Sequence, residues 1–260
     1  MARCYSVLSI VIFAFLGVTR DAYAAQEDAV KRLQACGFKP TSVLDVGANV
    51  GTWSRVYKTL FPEATFFMIE GNDKCQGELA ATGVPFEISL VGRAEGSITY
   101  HRRKDGTCAA STGNSVFKEN THIFTEDEVV EARVRTIDSI VAARQVGPFQ
   151  FLKVDIQGSE VPALLGARHT LESVEVVMTE APVMNYNQGS PPFTVLTSVL
   201  NHLGFEIFDI ADMARSDKGL LMQMDVLWVR RSSALWGPAC TGYPVPSHFT
   251  HKGQHAEWMP

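Results

Sequence analysis

Asp45, Gly47, Asn49 and Gly51 stand at alternate positions in "VLDVGANVGTWS", between an apolar run and the start of a helical pattern. Glycines between a strand and a helix let a ligand approach the backbone at a helix N-terminus, where unpaired N–H groups point outward. A dinucleotide site would use G-x-G-x-x-G around a pyrophosphate. Here Asn49 replaces the middle glycine, and Asp45 ends the strand. A carboxylate beside the ligand repels a pyrophosphate and attracts an ammonium group. Glu70, ending "FFMIE", stands at about the ~20-residue distance at which an acid receives ribose hydroxyls. S-adenosylmethionine meets these demands: an amino-acid moiety, a ribose diol, a neutral adenine and no phosphate. Each residue also has a plain structural use, Glu70 as a helix N-terminal acid and the glycines as a tight turn.

A second group of acids lies in "FLKVDIQGSE". Asp155 ends a strand, and Gly158 turns the chain into a helix whose first turn carries Glu160. Both are candidates for taking a proton from a methyl acceptor, with Asp155 as general base or orienting group. Glu160 either shares that role, contacts the cofactor or caps its helix. Lys153 shares a strand face with Asp155 by the period-two rule, as an ion-pair partner or by packing its stem. Glu180 ends the next strand. Asn185, Tyr186 and Asn187 in the loop after it suit a hydroxyl-rich acceptor or form a solvated loop, and Ser89 is placed on the adenine side.

The elements that must position these groups alternate. Helical patterns at Glu27–Ala35, Trp53–Leu60, Asp138–Arg144, Ser159–Leu171 (irregular at Gly166) and Phe193–Leu203 lie between apolar runs. Those runs are Ser42–Val46, Thr65–Ile69, Val84–Leu90, Phe151–Ile156, Val174–Thr179 and Phe205–Ile210, of the kind buried on both faces of a parallel sheet. Leu221–Val229 follows too short a link for a crossover and is expected antiparallel. Ser97–His101 is expected to pair back on the third strand, and Val129–Thr136 also alternates with period two. The result is an α/β chain with a doubly wound, mostly parallel seven-stranded sheet and one antiparallel strand. Between residues 104 and 127 lies a polar insertion whose length suggests function or disorder.

The chain resembles the FkbM family of S-adenosylmethionine-dependent methyltransferases. The segments that carry the resemblance are "GFKPTSVLDVGANVGTWS", "FFMIEGND", "TGNSVFKENT", "VRTIDSI", "FLKVDIQGSEVPALLGA" and "MNYNQGSP", in order from Gly37 to about Arg230. The resemblance implies a Rossmann-like class I methyltransferase fold and O-methylation of a hydroxyl on a sugar, lipid or secondary metabolite. It also makes "STGNSVFKEN" a substrate or lid segment, with Thr112, Asn114, Ser115 and Glu119 as candidates. Asp at the position of Asp155 ligates Mg²⁺ in some methyltransferases. No second and third ligand is evident, so no metal is expected.

Composition bounds the alternatives. The 260 residues are 46% hydrophobic and 20% charged, with a formal net charge of -5. That is globular, and it offers no general attraction to nucleic acid. The basic run His101–Lys104 reads as a solvated loop. Arg3, an apolar run from Tyr5 to Val18 and Ala22-Tyr23-Ala24 form a secretory signal peptide over residues 1–24, cut after Ala24. The run is too short for a membrane-spanning helix. A tilted anchor facing the cytoplasm, or a start codon placed too early, is the alternative to a secreted or periplasmic protein. Four cysteines outside the leader, Cys36, Cys75, Cys108 and Cys240, permit three pairings but are read as buried thiols. The domain is expected over 25–231 and an irregular tail over 232–260, where Pro and Gly argue against His248, His251 and His255 forming a helical metal site. Two rival classes stand beside a methyltransferase: an exported non-catalytic protein on the same fold, and a nicotinamide oxidoreductase, which Asn49 and Asp45 disfavour.

Overall fold

The computed structural model describes residues 23–104, 106–120 and 127–242. Most of the leader, the end of the polar insertion and the three tail histidines therefore lie outside the described residues. Helix α1 (Ala24–Ala35) buries Ala29, Val30 and Leu33. It begins inside the expected leader, and Tyr23 before it packs against the core. Strand β1 (Ser42–Val46) is buried at every position, as a central parallel strand must be. Helix α2 (Thr52–Leu60) buries Trp53, Val56 and Tyr57 at helical spacing and ends before Pro62. Strand β2 (Thr65–Glu70), a 3₁₀ turn (Asp73–Cys75) and helix α3 (Gln76–Ala81) follow.

The third strand differs from expectation. It divides into β3 (Phe86–Ile88), which joins the main sheet, and β4 (Leu90–Val91), which leaves it. Strand β5 (Gly96–Arg103) does not pair back on β3. After the short strand β6 (Lys118–Glu119), strand β7 (Asp127–Arg135) takes β5 antiparallel and β4 parallel in a separate three-stranded sheet. The reason is complementarity along two strands of matching length. Arg102 meets Glu128 at 2.8 Å, and Ser97 and Thr99 both donate to Glu131.

Helix α4 (Ile137–Arg144) is capped by the Thr136 hydroxyl, which accepts from Ser139 N–H. Strand β8 (Phe151–Val154) leads to helices α5 (Glu160–Leu165) and α6 (Arg168–Leu171), broken at Gly166. Glycine is required there, because a Cβ would lie 2.1 Å from Gly92 O. Strands β9 (Val176–Pro182) and β10 (Asn187–Gln188), helix α7 (Phe193–His202), and strands β11 (Phe205–Arg215) and β12 (Leu221–Arg230) complete the pattern. The main sheet has the order β11-β12-β9-β8-β1-β2-β3, with β12 antiparallel to both neighbours. Strand order reverses at β1, so the crevice beyond the carboxyl ends of β1 and β8 is the natural ligand site.

Period-two alternation assigns the two cores. Val43, Met68, Phe151, Met178 and Leu227 face α1 and α2, while Leu44, Ile69, Leu152, Val177 and Trp228 face the opposite layer. Packing continues past residue 231. Leu235 and Trp236 are buried, Trp236 Nε1 donates to Arg230 O, and helix α8 (Pro238–Thr241) carries Cys240.

The four cysteines outside the leader are not free thiols. Cys36 pairs with Cys240 and Cys75 with Cys108, across 204 and 33 residues. Local sequence spacing carries no signal for bridges that the tertiary fold brings together. The first staples the end of α1 to α8, and the second ties the turn after β2 to the polar insertion. Replacing Cys36 and Cys240 with serine is expected to lower unfolding free energy by about 2–5 kcal/mol, measured by urea denaturation.

Candidate functional site

The turn after β1 is shaped by backbone contact. Gly47 has φ +81, and a Cβ there would sit 1.8 Å from Asp155 O, so the β1 and β8 turns touch through backbone alone. Asn49 adopts φ +49. Its N–H donates to Glu70 Oε2 at 2.7 Å, and its Nδ2 donates to Cys108 O at 3.0 Å. Asn72 N–H donates to the other Glu70 oxygen at 2.8 Å. Burial raises the Glu70 carboxyl above its ordinary range, against those two backbone donors. Gly51, at φ +74, does not line the site. A Cβ there would meet Thr82 and Met68, so this glycine serves packing against α3.

Asp45 is also displaced from its expected role. It is fully buried beneath the glycine turn, where Oδ2 accepts from Ser54 of α2 at 2.7 Å and Oδ1 lies 3.1 Å from Lys153 Nζ. Lys153 in turn donates to Gly47 O at 2.7 Å and stands 3.5 Å from Asp155 Oδ2. Burial by itself would lower the ammonium's pKa. Asp45 and Asp155 outweigh it and hold Lys153 above its ordinary value, so it is charged. Of the two carboxylates beside Lys153, Asp155 and not Asp45 therefore reaches the cavity.

The cavity brings together Gly47, Asn49, Glu70, Ser89, Thr112, Asn114, Ser115 and Asp155 from the residues singled out in the sequence. Ser111, the first residue of the expected lid segment, lines it as well, and Ile69, Leu90, Val91, Tyr100, Gln157 and Ser159, which had not been singled out, complete much of its wall. Ser159 adjoins the Asp155 motif and was legible as a neighbour. Tyr100 and Leu90 arrive from the small sheet, whose pairing local sequence does not reveal. No Lys, Arg or His among the described residues lines the cavity, so a pyrophosphate has no counter-charge there.

Glu160, Glu119, Asn185 and Tyr186 do not line it. Glu160 is buried, and its Oε1 accepts from Ile156 N–H at 3.0 Å and Gly158 N–H at 3.2 Å, holding the turn after β8. Burial pushes its pKa up to about 7. Glu119 sits in the β6–β10 pairing, opposite Asn187. Asn185 is exposed and accepts from Ser190 Oγ at 3.2 Å. Tyr186 donates to Gln223 at 2.6 Å, and Gln223 donates to Glu180, which also accepts from Gln157 Nε2 at 2.9 Å. Asp225 faces Glu180 in register across β12 and β9 and accepts from Gln26 of α1 at 2.7 Å. Burial raises Glu180 well above its usual range, with Asp155 adding to the effect, and pushes Asp225 up to about 7.

These residues fit S-adenosylmethionine. Ser159 Oγ is a buried polar atom without a protein partner, and the residue lines the cavity. Each Glu70 oxygen keeps a lone pair for a ribose hydroxyl beyond its backbone bond. Ile69, Leu90 and Val91 offer an apolar wall to a flat base. Among the described residues no group of three or more His, Cys, Asp or Glu could hold a metal ion, and no helix is long and apolar enough to cross a membrane.

Residues 45–207 match the "Methyltransferase FkbM domain" family, more than half of the chain. The chain belongs to the FkbM methyltransferase family. One curated relative is the 2-O-methyltransferase NoeI of Sinorhizobium fredii, 22% identical over 61% of this chain and 70% of that protein. Among solved structures, this FkbM-family chain is similar to methyltransferase FkbM from Methylobacillus flagellatus at 16% identity and TM-score 0.45, covering 73% of this chain and 43% of that one. It is similar also to magnesium protoporphyrin IX methyltransferase from Synechocystis, at 13% identity and TM-score 0.45 over 79% of each chain.

Two outcomes follow from the site's charges. Lys153→Met leaves Asp45 buried without its partner, and is expected to cost about 3–5 kcal/mol in urea unfolding. Adding Asp45→Asn should recover part of that loss. Glu160, raised in the fold, favours the folded state at low pH, and that contribution is lost as pH rises from its unfolded value through about 7. The melting temperature of wild type should therefore fall between pH 5 and pH 8 by more than that of Glu160→Gln, read by calorimetry.

Proposed function

We propose that this domain uses S-adenosylmethionine to methylate a hydroxyl group of a small sugar, lipid or secondary-metabolite acceptor. The observation that carries the reading is Asp155. It lines the cofactor cavity at the end of β8, is part-exposed, and has Lys153 3.5 Å away to orient it. The same sheet face carries Glu180 and Asp225 on the next two strands. The 2-O-methyltransferase relative supports oxygen as the acceptor atom.

When bound, the cofactor supplies a methyl carbon made electrophilic by a positive sulfur. The chain's own residues do the rest. Asp155 takes the acceptor hydroxyl's proton on its carboxylate as the oxygen becomes nucleophilic. Lys153, charged and itself fixed by Asp45 and Gly47 O, keeps that carboxylate in one orientation. Glu70 would hold the ribose diol, its two oxygens fixed by the Asn49 and Asn72 N–H groups. Ser89 and Leu90 would border the base end, with Thr112, Asn114 and Ser115 on the wall that the polar insertion supplies.

Calorimetric titration with S-adenosylhomocysteine tests the cofactor half. Wild type should bind, and Glu70→Ala should weaken binding about 10-fold or more, the worth of hydrogen bonds to a charged group. A wild type that fails to bind would sink the reading. Asp155→Asn should lower methyl transfer to hydroxyl acceptors about 10²–10⁴-fold.

The work is proposed to take place in an oxidising compartment, secreted or periplasmic. Support comes from the two disulfides together with the signal-like leader. Alkylation of the native protein should leave Cys36, Cys75, Cys108 and Cys240 unmodified unless a reductant is added first. Modification without reductant would refute the compartment.

A further inference from the structure

Gln157, two residues beyond Asp155, adopts φ +55, a conformation that non-glycine residues take only when their surroundings hold it. Its carbonyl is where two distant segments meet. Ser115 Oγ donates to it at 2.7 Å from the polar insertion, and Asn187 Nδ2 donates at 3.1 Å from β10. Both side chains are 2% exposed, so water does not substitute for either bond. The two donors differ in one respect. Ser115 lines the cofactor cavity and Asn187 does not.

Other contacts bind the same three segments. Ser115 is locked by reciprocal backbone bonds to His101, at 2.8 and 3.0 Å. The insertion's β6 pairs with β10, and Asn120 N–H donates to Tyr186 O at 2.8 Å. A Cβ on Gly158 would lie 2.8 Å from Ser190 Cβ and 3.3 Å from Phe117, so the turn is clasped between the two loops. Gln157 Nε2 reaches Glu180 on the acceptor side. The Gln157 carbonyl is thus the point at which the insertion over the cofactor, the turn bearing Asp155 and the 183–190 loop share one partner.

We infer that Asn187 is a positioning residue for the cofactor cavity, acting through the Gln157 carbonyl, so that loading the cavity also orders the 183–190 loop. A carbonyl has two lone pairs. Losing one donor leaves it satisfied by the other, which preserves the fold while cutting the link between the loops. Binding that rigidifies one clasped segment lowers the cost of ordering the second, which gives positive coupling between cofactor and acceptor loop.

The inference rests on the cofactor reading above, and the test separates the two. S-adenosylhomocysteine is titrated into the full-length wild type, Asn187→Ala, Ser115→Ala and the double variant. Asn187→Ala should weaken binding about 3–10-fold, the range of one net hydrogen bond. The double variant should lose less than the product of the two single losses, because the donors share one acceptor. An Asn187→Ala affinity within twofold of wild type, or a double loss equal to the product, overturns the inference. Hydrogen exchange on the unaltered protein gives a second measurement, independent of any variant's folding. The ligand should slow exchange over both 111–117 and 185–190; protection confined to the first overturns the coupling. If wild type binds no S-adenosylhomocysteine, it is the cofactor reading that fails.

Discussion

The buried ammonium of Lys153 is the constraint on which the rest of the site depends. A single positive group, nearly without solvent, is held by Asp45 at 3.1 Å, Gly47 O at 2.7 Å and Asp155 at 3.5 Å. A buried charge is tolerated only when it is paired and hydrogen-bonded, and here the partners come from β1, the glycine turn and the end of β8. Asp45 is anchored from its other side by Ser54, which docks the first turn of α2. The Trp53 ring lies 5.9 Å from the same ammonium. One ion therefore ties the central strands, the ligand turn, the following helix and the candidate base. Asp155 reaches the crevice in a fixed orientation because the ammonium beneath it cannot move.

Around that centre the protein adds a cover tied to the turns beneath it. The small sheet of β4, β5 and β7 carries the polar insertion across the crevice. Cys75–Cys108 ties that insertion to the turn after β2, and Asn49 donates to the carbonyl of Cys108 itself. Covalent and hydrogen-bond links thus run from the cover to Glu70 through one residue of the glycine turn. The acids on the far side of Asp155 are governed by burial. Glu160, Glu180 and Asp225 all have raised pKa values, with burial the largest cause and the neighbouring Asp155 adding to each.

Much of this was legible in the sequence. Apolar runs bounded by Gly and Pro located the seven strands of the main sheet, and the short link before Leu221 marked the antiparallel strand. Those signals are local, since a central parallel strand must be apolar on both faces and a turn must have its special residues. Glu70, Asn49, Ser89 and Asp155 were legible for the same reason: they stand where strands end, and strand ends in this topology share one crevice.

The tertiary structure decided what depends on partners far along the chain. Asp45 carries the right chemistry for an ammonium ligand, but the fold places the ammonium of Lys153 against it, so the side chain points into the protein. Glu160 has the sequence position of a catalytic acid, yet two backbone N–H groups of the preceding turn claim its oxygen. The pairing of β5 with β7, the two disulfides and the meeting of Ser115 with Asn187 all join segments tens to hundreds of residues apart. Residue type and spacing determined which elements form and which groups stand at their ends. Which way a polar side chain turned was set by the nearest unsatisfied buried partner, and that is a property of the assembled fold.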